Sequence, residues 1–315
     1  MIKSRNISKE RWLFFFKLIF SLIIFIYVVQ KYEIKKEFFS VFNFDKYIIF
    51  YVIICPVSLS LINSFIQYFG FEKLSMPLSI QKILKSNYSA PFFGVLLPST
   101  IGADAYLTYS YGKNSKNYSK VISNLLIARI LGFVVFAFLF ILLNLKTKFI
   151  VIESFFDDGI NLTKSLTLLF VVTLVIIISL LLIYRFQIFI LDKFRRIKSN
   201  LLVLIRPDSK LIFMIVLTVF WYFISVGIRY LVTIRVGIHL NPLLIITLII
   251  SINFILMLPL TILGIGIREL SYVGLFALFG IKAEQALILA ATDLLMNLVA
   301  VFFGGAIFII SRTKK

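Results

Sequence analysis

The sequence contains one cysteine, one histidine and few charged residues. Cys55 alone forms neither a disulfide framework nor a thiolate metal cluster, and His239 alone cannot build a histidine-based metal site. Only 15% of the residues are charged, compared with about a quarter in a typical soluble domain. These shortages exclude disulfide-stabilised scaffolds and the common zinc sites, and most of the chain cannot face water. No metal ion or cofactor is expected.

Apolar residues and positive charge are present in excess. Of the 315 residues, 61% are hydrophobic, and the mean hydropathy is +1.03. The net charge is +19, and the basic residues cluster at the ends of apolar segments, as in membrane proteins. No basic patch lies on a soluble module, so the expected partner of this charge is the anionic membrane surface and not a nucleic acid.

Segments of about 20 apolar residues are long enough to cross a bilayer. Six are predicted: 12–30, 46–68, 118–144, 163–184, 211–237 and 284–310. The first is too long for a signal peptide and has no small-residue cleavage site, so it is expected to be an uncleaved span. Two further apolar regions, 79–111 and 242–283, are interrupted by Pro and Gly. Because lipid-exposed irregular backbone is not tolerated in a bilayer, both are predicted to be broken-helix hairpins.

The distribution of Lys and Arg orients these segments. Both termini and the basic segment 185–210 are expected on the cytoplasmic side of a plasma membrane, and the loop 145–162, with three acidic residues, outside. The hairpin 79–111 then enters and leaves on the cytoplasmic side, and 242–283 on the outer side. Apolar and basic residues are interleaved in 185–210, as in an amphipathic helix lying on the inner leaflet.

Span, hairpin, span therefore occurs twice with opposite orientation, which is the pattern of an inverted-topology repeat. The predicted fold is an all-α polytopic bundle of about six full spans and two broken hairpins. It forms a single membrane domain over 1–315, with repeats at about 46–144 and 211–311. Locally, LPSTI at 97–101 resembles LPLTI at 258–262. Alignment of Gly102 with Gly266 places charges of opposite sign at equivalent positions: Asp104 with Arg268, and Arg129 with Asp293.

The break in the second half is the main candidate for a lipid head-group site. A half-helix that starts inside the membrane exposes free N–H groups and about half a positive charge, which together bind anions. Within Pro259–Glu269, Gly264 and Gly266 let the backbone approach a ligand, and Arg268 adds a planar donor group suited to phosphate. The alternative is a tight packing turn in which Arg268 pairs with Glu269.

The break in the first half is the second candidate. It contains Pro98, Ser99, Thr100, Gly102 and Asp104. Ser99 or Thr100 is suited to capping the following helix, and Asp104 to compensating a cation or coupling to a proton. The alternative is a helix cap with a locally satisfied carboxylate.

Two further charges lie deep in predicted spans. Arg129 and Asp293 are each about 15 Å along their helices, where an unpaired charge costs at least about 2.5–3.5 kcal/mol. They are predicted to pair, directly or through the substrate, and a purely structural bridge is the alternative. Arg229 and Arg235 approach the outer end of their span and are predicted to be interfacial anchors, with collection of anions as the other reading.

These segments resemble the flippase-like membrane family that includes the transmembrane region of lysylphosphatidylglycerol synthase. The resemblance covers essentially the whole chain and is specific at LLPSTIGADAY (96–106) with LLIARILGF (125–133), and at LPLTILGIGIRE (258–269) with the Gly280-Ile281 break. The sequence departs from the family pattern at Ala128, where Glu is common, and at Asp293, about where Arg is common. The resemblance implies lipid translocation without an aminoacyltransferase domain.

The expected function is translocation of a lipid or a polyprenyl-phosphate-type substrate by alternating access between the repeats. The expected partner is a membrane lipid with an anionic head group. One alternative is a membrane enzyme that acts on a lipid head group, with Asp104 and Asp293 as an intramembrane dyad. The other is an accessory membrane subunit without transport activity.

Overall fold

The computed structural model describes residues 46–76, 78–96, 101–115, 117–147, 195–256 and 263–313. These residues form helices and no strand, which confirms the predicted all-α class. The helices are α1 (Lys46–Lys73), α2 (Ile80–Leu96), α3 (Ile101–Ser115), α4 (Tyr118–Lys146), α5 (Arg195–Ile205), α6 (Ser209–Arg235), α7 (Pro242–Leu256), α8 (Ile267–Ala277) and α9 (Ala283–Thr313). The predicted spans 12–30 and 163–184 lie outside the described residues.

Among the described residues, four helices are long and apolar enough to cross a membrane: α1, α4, α6 and α9. They coincide with the predicted spans 46–68, 118–144, 211–237 and 284–310. The two regions predicted to be broken are each a pair of shorter helices, α2 with α3 and α7 with α8. The most apolar of these, α7, has 15 residues and is about 22 Å long, which is short of the bilayer core of about 30 Å.

The first hairpin opens towards the end of the bundle where α1 ends. Tyr111, near the end of α3, packs edge-on against Phe71 at a centroid distance of 5.1 Å. Its hydroxyl donates to the carbonyl of Ile83, near the start of α2, at 3.4 Å. The start of α2 and the end of α3 therefore lie side by side, next to the last turn of α1.

The second hairpin opens towards the opposite end. Helices α1 and α6 are antiparallel, because Lys73 at the end of α1 bonds Asp208 before α6 at 2.7 Å, and the Arg235 guanidinium at the end of α6 lies 4.2 Å from the Tyr47 ring. Phe276, at the end of α8, packs in one core with Ile238, just after α6. The two hairpins therefore enter the bundle from opposite ends, as predicted.

The packing of the eight core helices follows the same twofold pattern. When α1–α4 are matched with α6–α9, each substantial contact has a counterpart: α1–α2 with α6–α7, α2–α3 with α7–α8, α3–α4 with α8–α9, α1–α4 with α6–α9, α1–α9 with α6–α4, and α2–α9 with α7–α4. The contact between α1 and α6 is its own counterpart. This arrangement is an inverted repeat; the limits 46–144 and 211–311 stay a prediction.

Basic side chains gather where α1 ends. Lys210 bonds Glu72 at 3.1 Å, and Asp208 caps α6 by accepting from the Leu211 amide at 2.8 Å. The hydrogen bonds from Lys73 and Leu211 hold the pKa of Asp208 below its usual value. Helix α5, whose polar residues include the exposed Arg196 and Lys198, lies beside α4 at the same end. The prediction that this end is cytoplasmic rests on this charge.

Helices α2 and α9 approach most closely at Gly304, where a Cβ atom would lie 2.5 Å from the Tyr88 carbonyl oxygen. We expect Gly304→Ala to lower the free energy of unfolding by about 1–3 kcal/mol, because a backbone atom cannot move aside as a side-chain end does. Gly227→Ala in α6 is the control, since a Cβ there meets nothing within 4 Å. Thermal unfolding of the purified protein in detergent measures both, and equal stability of the two variants would contradict the close contact.

Candidate functional site

The second hairpin turns back into the bundle through two glycines. Gly264 and Gly266 have φ values of +76° and +87°, a backbone region that side chains disfavour. Helix α8 starts directly after them, and the Glu269 carboxylate accepts from the Gly266 amide at 2.5 Å. Glu269 thus compensates the free N–H groups at the start of α8. The alternative pairing of Glu269 with Arg268 does not occur, because the carboxylate is turned to the backbone.

Asp293 of α9 lies between two arginines from two other helices. The Arg229 guanidinium of α6 bonds its Oδ1 at 2.6 Å, and Arg268 Nε of α8 lies 3.1 Å from its Oδ2. Ser225 holds Arg229 in place by accepting from Nη1 at 2.6 Å. The side chains of Arg268 and Asp293 are 5% and 4% exposed, and that of Arg229 is 16% exposed. We call Arg229, Arg268 and Asp293 the arginine site.

Arg268 keeps donors that no described residue uses. Its Nη2 donates to the Leu263 carbonyl at 2.7 Å. Its Nη1 has no hydrogen-bond partner in the described part of the chain, and its Nε–H is not directed at Asp293 although the two charges are close. A buried donor left unpaired costs about 1–3 kcal/mol, and more when it is charged. An oxygen of an anionic ligand would satisfy these donors and relieve that cost.

The charges around Asp293 favour such a ligand. Two guanidinium groups face this single carboxylate, and the Glu269 carboxylate bonds the Gly266 amide instead of an arginine. Cys55 of α1 and Tyr272 of α8 lie close enough to interact electrostatically with Arg229. The arginine site and these two neighbours therefore come from α1, α6, α8 and α9, and a single carboxylate, Asp293, bonds both arginines.

The first half contains the same ion pair with its charges exchanged. Arg129 of α4 bonds Asp104 of α3, and Asp293 follows Arg268 by 25 residues as Arg129 follows Asp104. The predicted direct pairing of Arg129 with Asp293 is therefore wrong, and pairing of the two through a substrate stays a prediction. The physical reason is that α3 packs on α4 and α8 on α9, so each charge meets its partner within its own half.

Exposure distinguishes the two pairs. The side chains of Arg129 and Asp104 are 60% and 33% exposed, whereas Arg268 and Asp293 are nearly inaccessible. Each carboxylate is paired with arginine, so the proposed dyad of Asp104 and Asp293 sharing a proton is not formed.

The remaining predicted residues fall into two groups. Gly102 is buried in the first turn of α3, and Asp104 lies in the same turn. Four predicted residues before α3 and at the start of the break in the second half lie outside the described residues: Pro98, Ser99, Thr100 and Pro259. Their roles stay predictions.

Sequence reasoning missed one member of the arginine site. Arg229 was predicted to be an interfacial anchor, but it points inward to Asp293. The spacing of Ser225 and Arg229 was the available signal, because residues four apart share one face of a helix. Arg235, at the end of α6, does stack on Tyr47 as an anchor would.

Comparison with known proteins gives one family. The family model described as "Lysylphosphatidylglycerol synthase TM region" matches residues 14–305. The comparisons with curated proteins and with solved structures give no match. The family match covers nearly the whole chain, and the four apolar helices agree with its description as a membrane region. The chain is therefore a membrane-embedded protein related to lipid handling, and it belongs to the lysylphosphatidylglycerol synthase TM-region family.

Proposed function

We propose that the protein translocates a lipid, or a lipid-linked substrate of the polyprenyl-phosphate type, with an anionic head group. The observation that carries this proposal is the buried Arg268, whose Nη1 has no partner among the described residues. An ionisable side chain inside a membrane protein is by default a candidate for a functional site. Phosphate suits this position, because a guanidinium offers parallel donors to two phosphate oxygens.

The inverted repeat supports transport as the role of this site. In transporters built this way, the binding site lies at broken helices and is reached alternately from the two faces as one repeat moves against the other. Here the breaks belong to hairpins that enter from opposite ends. We place the head group at Gly264, Gly266 and Arg268, with Arg229 as a second cation, and we assign the exposed Asp104–Arg129 pair as its contact in the first half.

The alternative functions have less support. Within the described ranges, no group of three or more His, Cys, Asp or Glu side chains is placed to hold a metal ion, and both candidate acids are paired with arginine. An accessory subunit without a substrate would not explain why Arg268 has buried donors that no described residue satisfies.

The test is a scrambling assay in proteoliposomes with fluorescent lipids that differ in head group. We expect Arg268→Gln to insert normally and to lose most of the transport, since the loss of one charged hydrogen-bonding partner costs about 1.5–3 kcal/mol, or roughly ten- to a hundred-fold. Arg268→Lys keeps the charge but loses the bidentate hydrogen bonding of the guanidinium, so it should transport at an intermediate rate.

Arg235→Gln is the matched control, because Arg235 lies at the end of α6 on Tyr47 and outside the arginine site. It should transport like the wild type. Wild-type transport by Arg268→Gln, or equal losses in Arg268→Gln and Arg235→Gln, would place the head-group site elsewhere.

A further inference from the structure

Four carboxamide side chains meet inside the first half, between α1, α2 and α4. The Gln67 side chain donates to Asn87 Oδ1 at 3.0 Å, Asn63 donates to the same oxygen at 3.3 Å, and Asn124 donates to the backbone carbonyl of Gln67 at 2.9 Å. Gln67, Asn87 and Asn124 are 2%, 4% and 0% exposed. We call these four residues the carboxamide cluster.

The cluster has more hydrogen-bonding capacity than its members use. Asn87 Nδ2, Gln67 Oε1 and Asn124 Oδ1 have no partner in the part of the chain that the structure describes. Asn124 Oδ1 packs against Gly70, where a Cβ atom would overlap it, so one donor (Asn87 Nδ2) and one acceptor (Gln67 Oε1) remain for a ligand. Each costs about 1–3 kcal/mol if it stays unpaired in the interior. Neutral polar groups retained in this way inside an apolar bundle point to a ligand with matching groups.

The mixture of donor and acceptor defines the chemistry of that ligand. A phosphate or carboxylate only accepts, so it would leave Gln67 Oε1 unpaired. An ammonium group only donates, so it would leave Asn87 Nδ2 unpaired. A hydroxyl group donates and accepts at the same oxygen. The free atoms of Gln67 and Asn87 belong to two amides joined by one hydrogen bond, and a hydroxyl is the simplest group that matches a donor on one and an acceptor on the other.

We infer that the carboxamide cluster binds a hydroxyl group of the substrate's head group. The inference rests on the proposed function for the identity of the ligand. The cluster lies in the core of the first half, among Ile62, Ile66 and Ile83, whereas Cys55 beside the arginine site belongs to a different core. It is therefore a second site, and it recognises a neutral part of the substrate. A bound water has the same chemistry, and the experiment separates the two sources.

Two short-chain phosphodiester lipids provide the test: one with a glycerol head group, and phosphatidylpropanol, which has the same charge and a similar size but no hydroxyl. The first readout is the shift in Tm of the detergent-purified protein on addition of each lipid, which needs no transport. The second is the scrambling rate of fluorescent forms of both lipids. We expect the wild type to bind the glycerol lipid with roughly tenfold higher apparent affinity, because one or two neutral hydrogen bonds to the hydroxyl contribute about that much binding free energy.

Asn87→Leu and Gln67→Met keep the approximate shape of the side chains and remove their polar atoms. Each should abolish the preference, so that the two lipids give equal shifts in Tm. Asn144→Leu is the matched control. Asn144 is also fully buried and has an unused Oδ1, but its amide bonds the Phe140 carbonyl of its own helix at 2.8 Å. This control should keep the preference.

The outcomes separate the hydroxyl site from the proposed function. If the wild type responds equally to both lipids, the hydroxyl site is refuted, because the cluster then binds at most a water. This comparison uses only the wild-type protein, so it does not depend on whether the variants fold. Transport of both lipids at one rate leaves the proposed function standing without this site. A preference in Tm with no transport of either lipid supports the site and refutes translocation.

Discussion

Asp293→Asn is expected to destabilise the fold by about 3–5 kcal/mol, because it leaves two largely buried arginines facing a neutral side chain. Asn keeps the size of Asp, so the loss would come from charge and not from packing. The arginines in question, Arg229 and Arg268, come from different helices, so the damage would spread to the contacts of α6 and α8 with α9. Thermal unfolding and size-exclusion behaviour in detergent measure the effect.

Asp104→Asn is the matched control for this prediction. It removes the equivalent carboxylate of the first half, where Arg129 is 60% exposed, and the expected loss is at most about 1 kcal/mol. The double variant Asp293→Asn with Arg229→Gln should recover part of the lost stability, with a coupling that a double-mutant cycle measures. Similar stability losses for Asp293→Asn and Asp104→Asn would show that the two pairs do not differ in burial as described.

Exchanging the two charged residues of an ion pair should leave the protein folded when it is done in the first half, and should prevent folding when it is done in the second half. Asp104→Arg combined with Arg129→Asp recreates the order found in the second half, and the partners stay opposite each other. We therefore expect the double variant to fold like the wild type, while each single change leaves two like charges in contact.

The same exchange at Arg268 and Asp293 has a different result, because Arg229 is a third member of that site. The new arginine at position 293 would face Arg229 with no carboxylate between them, and we expect loss of folded protein, at a cost of about 3–5 kcal/mol. Adding Arg229→Gln should restore part of the yield. If both exchanges fold equally well, Arg229 is not coupled to position 293.

The hairpins were predictable because their causes are local. Proline and glycine interrupt otherwise apolar runs, and the surplus of Lys and Arg at particular loops orients the segments. The antiparallel packing of α1 and α6 then follows from the two opposite orientations. These properties depend on composition over some twenty residues, which a single sequence displays.

The partners of the charges were not predictable in the same way. Pairing depends on which helices pack together, and Arg129 had two acidic candidates of similar depth. The shared 25-residue separation within each half pointed to the correct partners, since Asp104 and Arg268 were already aligned. The carboxamide cluster left only a partial sequence signal. Asn63 and Gln67 are four residues apart and share one face of α1, but no spacing connects them with Asn87 and Asn124.

The two halves are equivalent in arrangement but not in chemistry, and this has an energetic consequence. Gly304 lies 164 residues after Phe140, the same offset that relates Gly266 to Gly102. Where Gly304 lets α9 touch the backbone of α2, Phe140 separates α4 from α7 by stacking on Phe254 at a centroid distance of 5.0 Å. Under the proposed alternating access, identical halves would give the inward-facing and outward-facing forms equal free energies. A difference of about 1.4 kcal/mol between these two contacts would then be enough for a tenfold preference for one form at rest.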